Sequence, residues 1–300
     1  MIHVFGHLSP DSDSICSAVI AAHWLNHRGM DATAFRPGEA SRETQFIFEA
    51  AGLELPPVLD KPLAGEKVYL VDFCEQEQGP SDLPQAHIVG LVDHHRMGTL
   101  QSHGPLEAWM MPLGSTASVL HELYQIHGAQ LTQPLAVLML AALLSDTVGL
   151  KSPTTTARDV ELVDLIAPIA QVDVEQFTAD LLVAKTDLNG MNANELLDKD
   201  VKSFEFGGKT LTVGQLELAD FAQTAAMEAD LQAALEQRVA ANGKDVAVLM
   251  LTNIRSEQTR LLVAGPAAQM LIDANPELTF DNCLSRKKQM LPWLNGVFTG

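Results

Sequence analysis

Four short apolar runs, Ile2–Phe5, Ala32–Phe35, Val68–Asp72 and His87–Asp93, alternate with helical patterns through the first third of this chain. That alternation narrows the possible folds more than any other feature. The helical candidates Ile15–Arg28 and Arg42–Ala51 close on Gly29 and Gly52, in keeping with the left-handed residue that commonly ends a helix. Strand–helix–strand repetition of this kind predicts a parallel sheet covered on both faces. From Gly114 onward the pattern turns helical, with candidates at Ser115–His127, Pro134–Leu144, Ala157–Ala170 and Val174–Lys185. Pro134 fits a first-turn proline.

The character then changes. The polar, turn-rich stretch from Thr186 to Asn192 reads as a linker. Beyond it, Ser203–Phe206 and Lys209–Glu217 flank Gly207-Gly208 as a hairpin would. A long helix over Ala219–Ala241, strands at Val246–Thr252 and Thr259–Val263, a helix to about Ala274 and short β-like pieces complete the expectation. The predicted fold class is therefore α/β in two domains, residues 1–188 with a parallel sheet and a smaller 189–300 with a mixed sheet.

Composition excludes several functions. A formal net charge of −19 argues against general nucleic-acid binding, which needs a basic face to displace counterions, and against attraction to an anionic membrane. The three cysteines, Cys16, Cys74 and Cys283, are too few and too far apart for a disulfide framework and fit a reducing compartment. No signal-peptide pattern opens the sequence. The most apolar run, Leu135–Leu144, falls short of the roughly 20 residues a bilayer span takes. The expectation is a cytoplasmic protein.

Metal-type ligands recur at the ends of apolar runs. His7, Asp11 and Asp13 crowd the turn after the first strand, Asp72 ends the third, Asp93-His94-His95-Arg96 ends the fourth, and Asp146 closes the most apolar helix. Each has an ordinary structural role open to it: Asp13 or Ser14 as a helix N-cap, Asp72 and Asp146 as turn residues. In a parallel sheet, however, the strand ends share one edge, where open α/β folds bind ligands. Asp11, Asp13, Asp72 and Asp146 gathered there would repel one another by several kcal/mol. Two divalent cations sharing one aspartate would neutralise them. Imidazoles steer the choice toward Mn, Co, Zn or Fe.

Gly6-His7-Leu8-Ser9-Pro10-Asp11-Ser12-Asp13-Ser14, Asp93-His94-His95-Arg96 and Ser145-Asp146 resemble the signature motifs of the DHH phosphoesterase superfamily. Ser285-Arg286-Lys287-Lys288-Gln289, with Lys199-Asp200-Val201-Lys202-Ser203-Phe204, narrows the resemblance to the family II manganese-dependent inorganic pyrophosphatases, in the short form without an inserted regulatory module. The resemblance implies one metal site from His7, Asp11 and Asp72, and a second from Asp13, Asp72, His94 and Asp146. It implies that His95, Lys202, Arg286 and Lys287 contact substrate phosphates, and that the site lies in the cleft between the domains. It further implies two tight Mn²⁺ (or Co²⁺) sites, Mg²⁺ arriving with pyrophosphate, and a homodimer formed through the N-terminal domain. The chain departs from the family at Ser9 and Ser12, where Asn and Thr are common, and at Phe73-Cys74-Glu75, where His-Asn-Glu is usual. Cys74 is expected to be a buried, inert thiol.

The implied chemistry is in-line attack on pyrophosphate by a hydroxide bridging the two metals, with the basic residues steadying the phosphoryl oxygens. Arg286-Lys287-Lys288 gathers three of the chain's nineteen Lys and Arg residues, counter-charge that an acidic protein needs for such a substrate. A phosphoesterase acting on oligonucleotides or polyphosphate is the nearest rival. It is disfavoured by Gly207-Gly208-Lys209 where oligonucleotide-cleaving relatives carry Gly-Gly-Gly-His, and by an aromatic content of 5% for base stacking. A binding protein on a degenerate scaffold would lack a ligand; all six are present.

Overall fold

A computed structural model describes all 300 residues, which form two compact units, Met1–Lys185 and Thr186–Gly300.

The first unit begins with β1 (Ile2–Phe5), α1 (Ser12–His27), β2 (Ala32–Ala34), α2 (Arg42–Ala51), β3 (Lys67–Val71), β4 (His87–Asp93) and β5 (Glu107–Met110). The five strands are all parallel in the order β2-β1-β3-β4-β5. Helices α3 (Thr116–His127), α4 (Gln133–Asp146), α5 (Ala157–Ala170) and α6 (Val174–Lys185) follow. Side chains alternate across the sheet as strand geometry requires. Val4, Tyr69, Val71 and Val92 join the helical core, whereas Phe5, Val68, Leu70 and Leu91 face the other side. That second face is covered, as expected, but by loop segments carrying Leu63, Phe73 and Leu83 rather than by regular helices. The stretch between β3 and β4 offers only two short 3₁₀ turns, Gln76–Gln78 and Leu83–Gln85. Helix α4 is apolar all round because it is buried all round: Leu135 through Ser145 are buried among the neighbouring helices. No helix is long and apolar enough to cross a membrane.

The order of strands fixes where a ligand can sit. From β1 the chain crosses to β2 on one side, and from β3 it crosses to β4 on the other. The crevice beyond the carboxyl ends of β1 and β3 is thus the point at which the winding reverses. Gly6 makes the approach possible there, since a Cβ on it would lie 1.9 Å from Ser14 Oγ and 3.2 Å from the Val71 carbonyl oxygen.

The second unit holds α7 (Ala193–Asp198), β6 (Val201–Phe206), β7 (Lys209–Leu218), α8 (Ala222–Ala225), α9 (Glu228–Asn242), β8 (Val246–Asn253), β9 (Gln258–Ala264), α10 (Ala268–Ala274), β10 (Thr279–Phe280) and α11 (Leu291–Thr299). Its sheet, β10-β9-β8-β7-β6, is mixed: β7 and β8 are parallel and the other pairs antiparallel. Gly207 and Gly208, at φ 55° and 72°, make the two-residue turn between β6 and β7, as a type I′ hairpin demands. Two expectations fail here. The single helix over Ala219–Ala241 starts later, with the Gln223 side chain accepting from the Ala219 and Asp220 N–H groups ahead of α8. It breaks at Ala226-Met227, where Met227, at φ −118° and ψ 8°, leaves helical geometry and its N–H bonds Thr224 three residues back. The chain also ends in helix rather than β-like pieces. A π-helical turn, Arg286–Met290, runs into α11, whose Leu294 and Phe298 bury against the sheet.

Candidate metal centre and phosphate site

The ligand candidates of the first unit lie where strands and helices begin or end. His7 follows β1. Asp11 is the N-cap of α1, its Oδ1 accepting from Ser14 N at 2.9 Å. The capping role open to Asp13 or Ser14 thus falls to Asp11, and α1 begins three residues earlier than the pattern suggested, so Asp13 points inward from its first turn. Asp72 follows β3 in the left-handed region at φ 66°, a conformation that costs a non-glycine residue on the order of 1 kcal/mol. Asp146 is the last residue of α4, followed by Val148, Gly149 and Leu150, all at positive φ.

Three overlapping groups have ligand atoms within 4.8 Å of one another: His7, Asp11 and Asp72; Asp13, Asp72, His94 and Asp146; and Asp72, His94 and His95, the last with His95 Nδ1 3.8 Å from Asp72 Oδ1. Asp72 belongs to all three. Its Oδ2 lies 3.6 Å from His7 Nε2, and its Oδ1 lies 3.5 Å from His94 Nε2. His7 Nε2 is also 3.7 Å from Asp11 Oδ2, and His94 Nε2 is 3.6 Å from Asp146 Oδ2.

The donors fit cations. His94 Nδ1 lies 3.0 Å from the Leu113 carbonyl, which can only accept, so Nδ1 carries the proton. Burial and the neighbouring His95 hold the ring's pKa down, leaving Nε2 as a lone pair. That nitrogen is buried, has no hydrogen-bond partner and faces two carboxylate oxygens, a repulsive arrangement unless a cation lies between them. Burial, then the other carboxylates, pushes Asp13 and Asp146 well above the ordinary carboxylate range. Burial alone would lower His7, but the neighbouring Asp11 and Asp72 carboxylates outweigh that and raise it to about 10. Without metal, a proton on His7 is what balances its carboxylates.

Surrounding groups fix the cluster. Asp13 accepts from Ser17 Oγ at 2.9 Å and from the N–H groups of Thr116 and Ala117, at 2.6 and 3.1 Å, which open α3. Those are donors a helix start leaves unused. Lys185 Nζ reaches Ser145 Oγ at 3.1 Å, beside Asp146. The adjacent histidines diverge: while His94 turns to Asp72 and Asp146, His95 Nδ1 bonds Asp93 Oδ1 at 2.8 Å, and Asp93 also accepts from the His95 N–H. The sequence places Asp93 in the polar cluster that ends the fourth strand, but its role as the fully buried partner of His95 was not read there.

The three remaining candidates, Lys202, Arg286 and Lys287, all belong to the second unit. Lys202 lies exposed on edge strand β6, opposite Val213. Arg286 donates to the carbonyls of Val213 and Asp200 and to Asp200 Oδ1 at 2.8 Å, which draws it to the same part of the sheet. Lys287 follows on the exposed side of the π-helical turn. Ser12, Phe73 and Cys74, three of the family departures, make no hydrogen bond to the ligand carboxylates. Ser12 Oγ donates to Glu43 at 2.8 Å, Phe73 packs under the loop-covered face, and Cys74 is buried with its Sγ on the Arg96 carbonyl. Burial, reinforced by Asp93, pushes the Cys74 thiol up to about 12, so it is inert.

Comparison with known proteins gives the same class. Residues 1–143 match the N-terminal domain of the DHH family and residues 179–297 match the DHHA2 domain. The manganese-dependent inorganic pyrophosphatase of Methanothrix thermoacetophila is 34% identical over 99% of this chain and 98% of its own length. The probable manganese-dependent inorganic pyrophosphatase of Enterococcus faecalis is 35% identical over 99% of both. A crystal structure from Methanococcus jannaschii, described as a candidate family II inorganic pyrophosphatase, superposes over the whole of both chains with a TM-score of 0.87 at 34% identity. An exopolyphosphatase-related protein of Bacteroides fragilis shares the fold at 12% identity and a TM-score of 0.50, over 83% of this chain and 75% of its own. The chain is therefore a DHH–DHHA2 protein of two α/β units. It belongs to the family of manganese-dependent, or family II, inorganic pyrophosphatases.

Proposed function

We propose that the protein hydrolyses inorganic pyrophosphate to two phosphates at a two-metal centre of Mn²⁺ or Co²⁺, with Mg²⁺ carried in on the substrate. The observation that carries this reading is the setting of Asp72, which turns one oxygen toward each histidine-bearing group, as a carboxylate shared by two cations must. Full-length similarity to relatives named for this activity supports it.

His7, Asp11 and Asp72 would hold one ion; Asp13, Asp72, His94 and Asp146 would hold the other. When bound, the pair supplies an acidified water and neutralises phosphoryl charge. The chain's own residues do the rest. Asp93 fixes His95 by its Nδ1, and His95 is assigned to the substrate's phosphoryl oxygens. Lys202, Arg286 and Lys287 are assigned to the phosphates as well, with Asp200 orienting the Arg286 fork. Positioning and charge stabilisation of this kind are most of phosphoryl-transfer catalysis. The residue 1–188 and 189–300 division would then separate metal binding from substrate binding.

The protein is further read as a cytoplasmic homodimer. Association through the N-terminal domain is supported by the open edge strands of its sheet, β2 and β5, which leave ladder groups unpaired. The net charge of −19 supports a reading without nucleic-acid or membrane partners.

The deciding experiment measures phosphate release from pyrophosphate, a dinucleotide and a triphosphate, using protein stripped of metal and then given Mn²⁺, Co²⁺ or Mg²⁺. Pyrophosphate should be the preferred substrate, with Mn²⁺ or Co²⁺ required. Faster cleavage of the dinucleotide would move the oligonucleotide reading ahead.

A further inference from the structure

Thr116 touches two of the ligand carboxylates at once. Its backbone N–H donates to Asp13 Oδ2 at 2.6 Å and its hydroxyl donates to Asp72 Oδ1 at 2.9 Å. The residue is fully buried and is held from behind. Asp159 accepts from the Gly114 N–H and from Ser118 Oγ, and is itself fixed by Thr156 in the capping box of α5. The start of α3 is therefore anchored to a second helix as well as to the carboxylates it contacts.

Asp72 needs such a partner. Its left-handed backbone sets where the side chain starts, but the imidazoles around it, at 3.5 to 3.8 Å, lie beyond hydrogen-bond reach. Rotating the carboxylate would take Oδ1 away from His94 or Oδ2 away from His7.

We propose that Thr116 is a positioning residue of the two-metal centre: its hydroxyl holds Asp72 with one oxygen directed to each cation site, while its N–H fixes Asp13 of the second site. The inference rests on the functional reading above and deepens it. Removing the hydroxyl should weaken both metal sites together, because Asp72 is common to them. Partners that orient metal ligands are typically worth about 10–100-fold in affinity.

The test titrates metal-free protein with Mn²⁺ by calorimetry and equilibrium dialysis for wild type, Thr116→Val, Thr116→Ala and Thr116→Ser, with thermal unfolding of each metal-free form. Thr116→Val keeps the shape and loses the hydroxyl; Thr116→Ala repeats the loss without the extra methyl, should the valine variant fold poorly. Both should unfold close to wild type yet bind Mn²⁺ about 10–100-fold more weakly at both sites, and Thr116→Ser should restore most of the affinity. Wild-type affinity in the valine or alanine variant would overturn the inference, as would a serine variant no better than valine. Failure of the wild type itself to take up two Mn²⁺ would overturn the functional reading, and is seen before any variant is compared.

Discussion

Loading Mn²⁺ onto the His7–Asp11–Asp72 group should expel a proton. Burial alone would make His7 a weak base, but Asp11 and Asp72 overcome this and raise its pKa to about 10, so at neutral pH the ring is protonated and the proton competes with the metal. Three pH units below that value, the competition costs about 4 kcal/mol, and affinity should rise about tenfold per pH unit. An unperturbed histidine, with a pKa near 6.5, would stop competing above about pH 7, so the range from pH 7.5 to 9 separates the two cases. For the metal-free fold the sign is opposite. The stabilisation from a raised His7 is fully present below about pH 6.5 and is lost as pH rises through about 10. The assay is calorimetric titration of metal-free protein with Mn²⁺ at several pH values, in buffers of different ionisation enthalpy. About one proton per ion should be released by this group, with more from Asp13 and Asp146, which burial also pushes up. A first-site affinity flat between pH 7.5 and 9, with no buffer dependence, would refute the reasoning.

Four further outcomes are expected. Asp72→Ala should lose both tight sites together, and two Mn²⁺ still tightly bound in that variant, counted by metal analysis, would rule out its shared role. His94→Ala should lower metal content at one site, whereas His95→Ala should keep its metals and lose turnover; equal metal loss in both would contradict the divergence of the two rings. Gly6→Ala should destabilise the metal-free fold by about 1–3 kcal/mol in a denaturant titration, since its Cβ would lie 1.9 Å from Ser14 Oγ. Arg286→Lys should lose on the order of 2–5 kcal/mol of transition-state stabilisation in kcat/KM with metal content intact, because a lysine cannot reproduce the fork set against Asp200; near-normal hydrolysis would detach that turn from the substrate.

Much of the fold was legible because periodicity and punctuation agreed. Arg42–Ala51, Ala157–Ala170 and Val174–Lys185 are helices at their expected bounds, and His87–Asp93 is the expected strand. Strand β5 escaped notice because it is an edge strand of only four residues, Glu107–Met110, mostly half-exposed, whose short apolar run Ala108-Trp109-Met110-Met111 is cut off by Pro112. The terminal helix α11 escaped for a related reason. Its signal is a first-turn proline and apolar residues spaced for one face, Leu291, Leu294 and Phe298, within nine residues, too short a window for a period to declare itself. The break between α8 and α9 depends on Met227 leaving helical geometry at φ −118° and ψ 8° with its N–H on the Thr224 carbonyl, a choice helix propensity alone does not foresee.

The candidate site was legible to the extent that it is built from chain ends. A parallel sheet brings its strand termini to one edge, so an aspartate or histidine closing each run could be placed without coordinates. What could not be read was the lattice of donors that sets each carboxylate's direction. Thr116 reaches Asp72 across 44 positions and Asp13 across 103, and Asp159 anchors Gly114 from 45 positions away. These contacts arise from helix packing rather than from any local pattern. The same packing explains how a strained aspartate persists at the centre. Asp72 holds φ 66° because the Val92 carbonyl of β4 pins its N–H at 3.0 Å and α3 pins its side chain, so the cost of the conformation is met by the sheet and the helix that over-determine it. A relaxed, extended residue at this position would send its carboxylate to one face of the strand. The left-handed one aims it into the crevice where the winding of the sheet reverses, between His7 and His94.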